Sequence, residues 1–152
     1  MSESAVLHEI KSHIGKDLGV SDWVLIDQDR INAFADCTGD HQWIHVNPAL
    51  AKEGLFGTTI VHGYLLLSLL VAMSDRITVV PADCKMVVNY GLNRVRFVTP
   101  VKVGSRIRNH AVLKQVEDKG SGRILVTIGN TVEIENEEKP ALVAETLSMY
   151  FT

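Results

Sequence analysis

The chain has 152 residues, and 15 lysines and arginines against 18 aspartates and glutamates give it a formal charge of −3. Hydrophobic residues make up 46% of the sequence and charged residues 22%, which is typical of globular proteins and excludes a disordered chain. The slightly acidic charge argues against a nucleic-acid partner, which requires clustered lysines and arginines. We therefore predict a single domain over residues 1–152, with a short N-terminal helical extension.

No targeting or membrane-spanning segment is predicted. Met1–Leu7 contains Glu3 and no basic residue, unlike a signal peptide. The segment Gly54–Ser74 carries no charged residue, but its dense apolar part is only Tyr64–Met73. A bilayer-spanning helix needs about 20 predominantly apolar residues. We expect a cytoplasmic protein that does not contact a membrane.

Helices are predicted in the first half of the chain from capping residues and apolar spacing. In chain order the predicted elements are a helix from Ser4 through Ile14, stopped by Gly15, a short strand at Trp23–Ile26, a helix from Asp27 to Gly39, a short helix from Asn47 that ends near Gly54 or Gly57, and a helix over Gly63–Ser74. The last of these is apolar all round, which predicts burial on every side.

The second half changes to the alternation typical of strands. The predicted strands are Lys85–Asn89 and Arg94–Val98, joined through Tyr90-Gly91, then Arg106–Val116, residues 124–134 after a turn at 118–122, and a last strand near 143–151. Helices followed by strands predict an α+β fold in which one antiparallel sheet wraps around the apolar helix.

The polar segment Thr38–Pro48 is the strongest candidate for a site, because catalytic groups often lie in such connections. Asp40 and His45 come together only if the segment between them turns. A carboxylate beside an imidazole can then hold a water molecule and move protons. The alternative is that Asp40 caps the following turn and His45 is a half-buried loop residue.

A metal site is not predicted. His41 and His45 have the spacing of a helical metal pair, but Gln42 stands where the zinc-protease motif has glutamate. The two cysteines, Cys37 and Cys84, do not have the spacing of metal ligands, and we predict that they are reduced and mostly buried.

His62 and Gly63 precede the apolar helix, whose first N–H groups lack internal acceptors. This end of the helix can hold a developing oxyanion, since Gly63 allows close approach to the backbone. The alternative is that Gly63 is only a turn residue and that His62 or a water molecule satisfies the free N–H groups.

Five cations lie within fifteen residues, at Arg94, Arg96, Lys102, Arg106 and Arg108. Two interpretations remain open from the sequence. They form a solvated strand face, or they form a patch for a phosphorylated ligand.

Two segments resemble a known family. Phe34–Pro48, with the sequence F-A-D-C-T-G-D-H-Q-W-I-H-V-N-P, and Ile60–Gly63, with I-V-H-G, resemble the MaoC-like dehydratase domain. Within that family they are similar to the NodN-like, (R)-specific enoyl-CoA hydratase group. Asn89–Phe97 and Pro100–Ser105 also resemble it, and the similarity spans about residues 15–150.

The resemblance implies a hot-dog fold, in which the antiparallel sheet wraps a long central helix at Gly63–Ser74. It also implies a homodimer, an acyl-CoA or acyl-carrier-protein thioester as substrate, and no cofactor beyond the CoA of the substrate. Position by position, it assigns the catalytic dyad to Asp40 and His45 and the thioester-binding N–H to Gly63. The residues that would line the substrate tunnel are Ile60, Val61 and His62, with Asn89 as a weaker candidate.

The implied activity is that of a lyase, an (R)-specific enoyl-CoA hydratase that reversibly converts trans-2-enoyl-CoA to (R)-3-hydroxyacyl-CoA. One alternative is a hot-dog acyl-CoA thioesterase, whose acid often lies on the central helix; the segment between Gly63 and Met73 contains none. A second alternative is a non-catalytic acyl-thioester binding module, which the intact Asp40 and His45 disfavour.

Overall fold

The computed structural model describes residues 5–152, so the predicted cap Ser4 lies outside the described residues. The elements in chain order are α1 (Ala5–Lys11), β1 (Asp17–Val20), β2 (Val24–Leu25), α2 (Gln28–Thr38), α3 (Trp43–Val46), α4 (Pro48–Lys52), α5 (Gly63–Ser74), β3 (Met86–Phe97), β4 (Arg106–Gly120), β5 (Arg123–Ile134) and β6 (Leu142–Phe151). Helices precede the long strands, and the predicted α+β class is confirmed.

The strands form one antiparallel sheet in the order β1-β4-β5-β6-β3, and β2 also pairs with β4. The helix α5 packs on this sheet through its buried leucines, which meet β4, β5 and β6 in one apolar cluster. A sheet that holds a central apolar helix is the hot-dog arrangement implied by the resemblance.

The predicted burial of α5 on every side is wrong for the protomer. Leu66 and Leu70 are 2% and 3% exposed, but Tyr64 and Val71 are 71% and 62% exposed. The sheet covers only one side of the helix, and the other side lies next to β3, an edge strand that pairs only with β6. The edge strand is itself exposed along nearly its whole length.

A second apolar cluster forms where α1 packs on the far part of the sheet through Leu7 and Ile10. The helix ends at Lys11, earlier than the predicted Ile14, because Ser12 begins a series of tight turns and its Oγ bonds the Glu9 carbonyl. Ile14 is consequently 44% exposed.

The strands β5 and β6 lie within one residue of their predicted bounds, whereas β3 and β4 are longer than predicted. The strand β3 is one continuous strand, because register shifts absorb the irregular residues Tyr90 and Arg94 without breaking the pairing. The strand β4 runs to Gly120, and the turn to β5 shrinks to Ser121-Gly122. The short strand β1 was not predicted, because the four residues Asp17–Val20 are too few for an alternating pattern to be recognised and they pair with the distant β4.

The helices beside the polar segment begin as predicted. The Asp27 carboxylate accepts the Arg30 N–H at 2.9 Å, and α2 ends at Gly39, whose φ of 82° is left-handed. The Asn47 side chain accepts the Leu50 N–H at 3.1 Å to begin α4. Residues 5–152 contain no helix long and apolar enough to cross a bilayer.

Both cysteines are free, but the prediction that they are mostly buried is wrong. Cys37 is exposed on α2, and Cys84 is partly buried before β3.

Candidate active site

A sharp change of direction after α2 places Asp40 and His45 close together. Gly39 ends the helix, and the Asp40 carboxylate accepts the Gln42 N–H at 3.3 Å before α3 begins. The segment was predicted as a loop, but it contains the single helical turn α3, which carries His45 inward. The capping role considered for Asp40 is therefore real, and its carboxylate also lies within 4.8 Å of a ring nitrogen of His45.

The imidazole of His45 is held in one orientation by a backbone carbonyl. His45 is only 7% exposed, so it is not the half-buried loop residue of the alternative interpretation. Its Nδ1 lies 2.7 Å from the Ile60 carbonyl oxygen. Because a carbonyl only accepts, Nδ1 carries the proton and donates it, and Nε2 of the neutral ring keeps a free lone pair.

A partly buried chain of hydrogen bonds fixes the backbone at His45. The Gln28 Nε2 donates to the His45 carbonyl at 2.7 Å, and the Thr59 Oγ1 donates to the Gln28 Oε1 at 2.6 Å. These contacts were not predicted, since a glutamine at the start of a helix has no distinctive sequence pattern.

The surroundings of His45 keep its ring neutral. Burial lowers the pKa of His45 and outweighs the hydrogen bond to Ile60, which raises it. The nearby His62 also lowers the pKa of His45, whereas the Asp40 carboxylate raises it. The net direction is downward, so His45 can accept a proton at neutral pH.

His62 contacts both members of the predicted dyad. Its ring is 2% exposed and stacks on His45, with centroids 3.9 Å apart and planes 23° from parallel. Its Nε2 donates to the Asp40 backbone carbonyl at 3.0 Å, and Phe34 packs on the ring at a centroid distance of 5.0 Å. The buried Nδ1 has no hydrogen-bond partner among the described residues.

Asp40, His45 and His62 are also the residues that could hold a metal ion, because their ligand atoms lie within 4.8 Å of one another. The two stacked rings direct their in-plane lone pairs along similar planes, which do not converge as a tetrahedral site requires. His41, the other half of the spacing considered for a metal pair, bonds Asp36 at 2.9 Å. The arrangement suits proton transfer better than metal binding.

Gly63 begins α5, and its N–H has no hydrogen-bond acceptor in the described part of the chain. A Cβ at this position would lie 3.1 Å from the Phe97 ring, closer than an ordinary contact, so a larger residue would have to displace the ring. The free N–H therefore lies at the positive end of a helix dipole, next to His62.

The remaining predicted tunnel residues lie in different surroundings. Ile60 contributes its carbonyl to His45, a role that the sequence did not suggest. Val61 is 4% exposed in the core, with its N–H bonded to the Val101 carbonyl. Asn89 lies farther away, on β3, in a groove beside the C-terminal half of α5.

Three of the five cations lie beside glutamates, and the first of them, Arg94, is 3.9 Å from Glu145. Arg106 bonds Glu135, and Arg108 bonds Glu133 at 2.7 Å and lies 4.3 Å from the centre of the Trp23 ring. These ion pairs favour the interpretation that Arg106 and Arg108 belong to a solvated strand face rather than to a phosphate-binding patch.

The comparison with known families decides the identity at family level. Residues 9–136 match the family model described as MaoC like domain. The chain belongs to the MaoC-like dehydratase family. The predicted family, and with it the prediction of an enzyme of the hydratase and dehydratase type, is confirmed.

MaoC-like relatives with curated names cover nearly the whole chain. It is 49% identical to 3-hydroxyacyl-thioester dehydratase Z of Mycobacterium tuberculosis over 142 residues, 93% of each protein. It is 47% identical to Nodulation protein N of Rhizobium leguminosarum bv. viciae over 144 residues, 94% of this chain and 89% of the relative.

Solved structures of MaoC-like proteins confirm the fold. A monoamine oxidase regulatory protein from Archaeoglobus fulgidus superposes with a TM-score of 0.80 at 25% identity, covering 94% of each chain. An (R)-hydratase from A. caviae superposes with a TM-score of 0.72 at 20% identity, covering 89% of this chain and 94% of that one. The hot-dog prediction is therefore confirmed.

Proposed function

We propose that this MaoC-like protein is an (R)-specific enoyl-CoA hydratase that reversibly adds water to trans-2-enoyl-CoA and forms (R)-3-hydroxyacyl-CoA. The observation that carries the proposal is the neutral His45, whose free Nε2 can face the Asp40 carboxylate while the unbonded Gly63 N–H lies nearby. The similarity to a 3-hydroxyacyl-thioester dehydratase supports this proposal, because dehydration of a 3-hydroxyacyl thioester is the reverse of the proposed hydration.

The proposed role of Asp40 and His45 is to hold one water molecule and move its protons. The pair takes a proton from the water as its oxygen attacks C3 of the enoyl thioester, and returns a proton to C2 on the same face. We treat the pair as one titrating unit, because the two groups interact and share the transferred proton.

The proposed role of Gly63 is to stabilise the negative charge on the thioester oxygen. As water adds to C3, electrons move toward the carbonyl and give it enolate character. A backbone N–H directed at that oxygen stabilises the transition state, and loss of such a donor typically costs about 2.7–4 kcal/mol. The reaction adds water without net oxidation or reduction, and the proposal includes no metal and no cofactor besides the CoA of the substrate.

We also propose that two protomers form a homodimer through β3 and the uncovered side of α5. The edge strand has unpaired backbone groups and exposed apolar side chains, including Val88 at 42% and Tyr90 at 61%. An exposed apolar edge of this length normally pairs with another strand.

The test is the loss of enoyl-thioester absorbance when the purified protein meets crotonyl-CoA or a longer trans-2-enoyl-CoA. We expect rapid loss in the wild type, formation of the (R)-alcohol, and no loss with Asp40→Asn. Release of free CoA without hydration would overturn the proposal in favour of a thioesterase. Binding of both substrates without any chemistry would overturn it in favour of a binding module.

A further inference from the structure

The helical turn that carries His45 depends on contacts outside itself. The helix α3 has only four residues, Trp43–Val46, and a helix this short is not stable on its own. The last carbonyls of a helix also have no N–H partner within it. In α3 these include the carbonyls of Ile44 and His45, so their partners elsewhere in the chain decide where the His45 ring lies.

Two donors from outside the turn satisfy these carbonyls. The Ile60 N–H donates to the Ile44 carbonyl at 3.0 Å, and the Gln28 Nε2 donates to the His45 carbonyl at 2.7 Å. No other donor reaches the His45 carbonyl in the part of the chain that the structure describes. A single hydrogen bond lets a short turn rotate about it, whereas bonds to two successive carbonyls fix its orientation.

The Gln28 amide also holds the segment that orients the imidazole. Its Oε1 accepts the Thr59 hydroxyl at 2.6 Å, and Thr59 precedes Ile60, whose carbonyl accepts the His45 Nδ1–H. The Thr59 carbonyl in turn accepts the N–H of Val103, a residue packed on the core, at 3.0 Å. One side chain therefore sets the spacing between the two backbone segments that the hydrogen bond from His45 to Ile60 joins.

The partners of the Gln28 amide determine its orientation. Its Nε2 uses both hydrogens, one for the His45 carbonyl and one for the Asn32 Oδ1 at 2.9 Å. A rotated amide would place Oε1 against the His45 carbonyl, where neither oxygen can donate. Thr59 is 1% exposed, so its hydroxyl would be left buried without this acceptor if the amide were lost, which is costly.

We propose that Gln28 is a positioning residue for the reaction, which holds His45 where its Nε2 reaches the reacting water, with Thr59 as its partner in this role. The inference rests on the proposed function only in treating His45 as part of the dyad. It goes beyond that function because it makes activity depend on a side chain of α2 that bonds the backbone of His45 rather than its ring.

The first experiment removes the amide and keeps the length of the side chain. In Gln28→Met we expect kcat for crotonyl-CoA to fall by about 10- to 100-fold and KM to change less than about threefold, because the dyad is displaced while substrate binding is not. Each variant is assayed well below its melting temperature, so that loss of stability does not enter. An unchanged kcat in Gln28→Met overturns the inference.

The matched control removes the other acceptor of the same amide. Asn32→Ala eliminates the bond from the Gln28 Nε2 to Asn32 and leaves the bond to His45 in place. It should keep kcat close to that of the wild type. An equal loss in Asn32→Ala and Gln28→Met would assign the effect to the start of α2 rather than to His45, and would overturn the inference.

Variants of Thr59 test whether the two side chains act together. Thr59→Ser keeps the hydroxyl and should retain the wild-type kcat, whereas Thr59→Val removes it and should lower kcat by about three- to tenfold, as for one net hydrogen bond. Because both act through one amide, the double variant with Gln28→Met should lose no more than Gln28→Met alone. Losses that multiply in the double variant overturn the joint role.

Nuclear magnetic resonance separates this inference from the proposed function. The Nδ1–H of isotope-labelled His45, identified by its absence in His45→Gln, reports the bond to Ile60 without any substrate. We expect about tenfold faster exchange of this proton with solvent in Gln28→Met, and no change in Asn32→Ala. A wild type that hydrates no enoyl-CoA contradicts the hydratase proposal, while the exchange difference still supports the positioning of His45. An unchanged exchange rate in Gln28→Met overturns the inference, whatever the activity.

Discussion

His45 and His62 stack ring on ring, with centroids 3.9 Å apart, although seventeen residues separate them in the chain. His45 is fixed by the Ile60 carbonyl, and His62 holds the Asp40 carbonyl through its Nε2. The second histidine thereby connects the two members of the proposed dyad. We infer that His62 is a positioning residue, whose loss would displace both Asp40 and His45.

Substitution of His62 tests that role. His62→Phe keeps a ring against His45 but removes the N–H that bonds Asp40, so we expect kcat to fall by about 10- to 100-fold, with KM changing less. His62→Gln restores a donor near the position of Nε2 and should retain more activity than the phenylalanine variant. Steady-state kinetics with crotonyl-CoA measures both, with His110→Gln on the opposite face of the sheet as the matched control. Equal activity of the two His62 variants would contradict a role for the hydrogen bond.

Asp40→Asn tests the carboxylate itself. The amide oxygen can still accept the Gln42 N–H, so the turn should form and the melting temperature should stay close to that of the wild type. Loss of the acid–base group should lower kcat by about 10²- to 10⁴-fold. Asp36→Asn is the control, because Asp36 is an exposed carboxylate of the same region that bonds His41 and not the dyad. A similar loss in both variants would mean that general charge, rather than the dyad, matters.

The lowered pKa of His45 predicts the acid limb of the activity profile. The unfolded chain has a histidine pKa of about 6.5, and burial moves that of folded His45 below this value. The ring therefore stays neutral as the pH falls through 6.5, and kcat/KM should decline only below that pH. Measurement of kcat/KM between about pH 5 and 8 checks this, and an acid limb centred above 6.5 would contradict it.

The same shift predicts a pH dependence of stability. Because the folded pKa of His45 is the lower one, the unfolded state binds the proton first as the pH falls below about 6.5. The free energy of unfolding should thus be fully retained above this pH and decrease below it until the folded pKa is passed. Urea unfolding of wild type and His45→Gln across this range should give a smaller acid loss in the variant. Identical slopes would contradict the assignment to His45.

Gly63→Ala tests the close packing at the start of α5. The added methyl group would lie 3.1 Å from the Phe97 ring, so either the ring or the helix must move. We expect kcat/KM to fall by at least tenfold, because the N–H shifts relative to the dyad. Gly63→Ala combined with Phe97→Leu should recover part of the melting temperature. Wild-type activity in Gly63→Ala would contradict the proposed role of this N–H.

The proposed dimer depends on the exposed edge strand. Val88→Lys places a charge on the exposed apolar edge of β3 and should weaken the association of two protomers, as charged residues do on unpaired edges. Sedimentation equilibrium should show a dimer for the wild type and a larger monomer fraction for the variant. Thr131→Lys, at an exposed position of the central strand β5, should remain dimeric. A monomeric wild type would contradict the proposal.

Local features of the fold were predictable wherever a few neighbouring residues decide the backbone. Asp27 and Asn47 cap the following helices, and α5 has the predicted bounds Gly63–Ser74. These interactions span three or four residues, so they are encoded within a short window of sequence. The single helical turn at Trp43–Val46 was missed, because four residues are too short for a periodic pattern.

The candidate site was only partly predictable, because sequence patterns cover a few neighbouring residues and the site combines residues from distant segments. Asp40, His45 and Gly63 were named from motifs, but their spacing alone left alternatives open. The structure added the contacts made by Gln28 and the Ile60 carbonyl, which come from elements seventeen and fifteen residues away from His45. No local pattern encodes which backbone carbonyl a buried imidazole will meet.

The sequence by itself determined the class of fold, the apolar central helix and the family, because periodicity, capping and motifs are properties of short segments. Tertiary structure alone decided that His45 keeps a free Nε2, that His62 links it to Asp40, and that one side of α5 stays uncovered. Each of these features depends on packing between elements that are distant in the chain. Burial, hydrogen-bond geometry and strand pairing there depend on one another and form only in the folded protein.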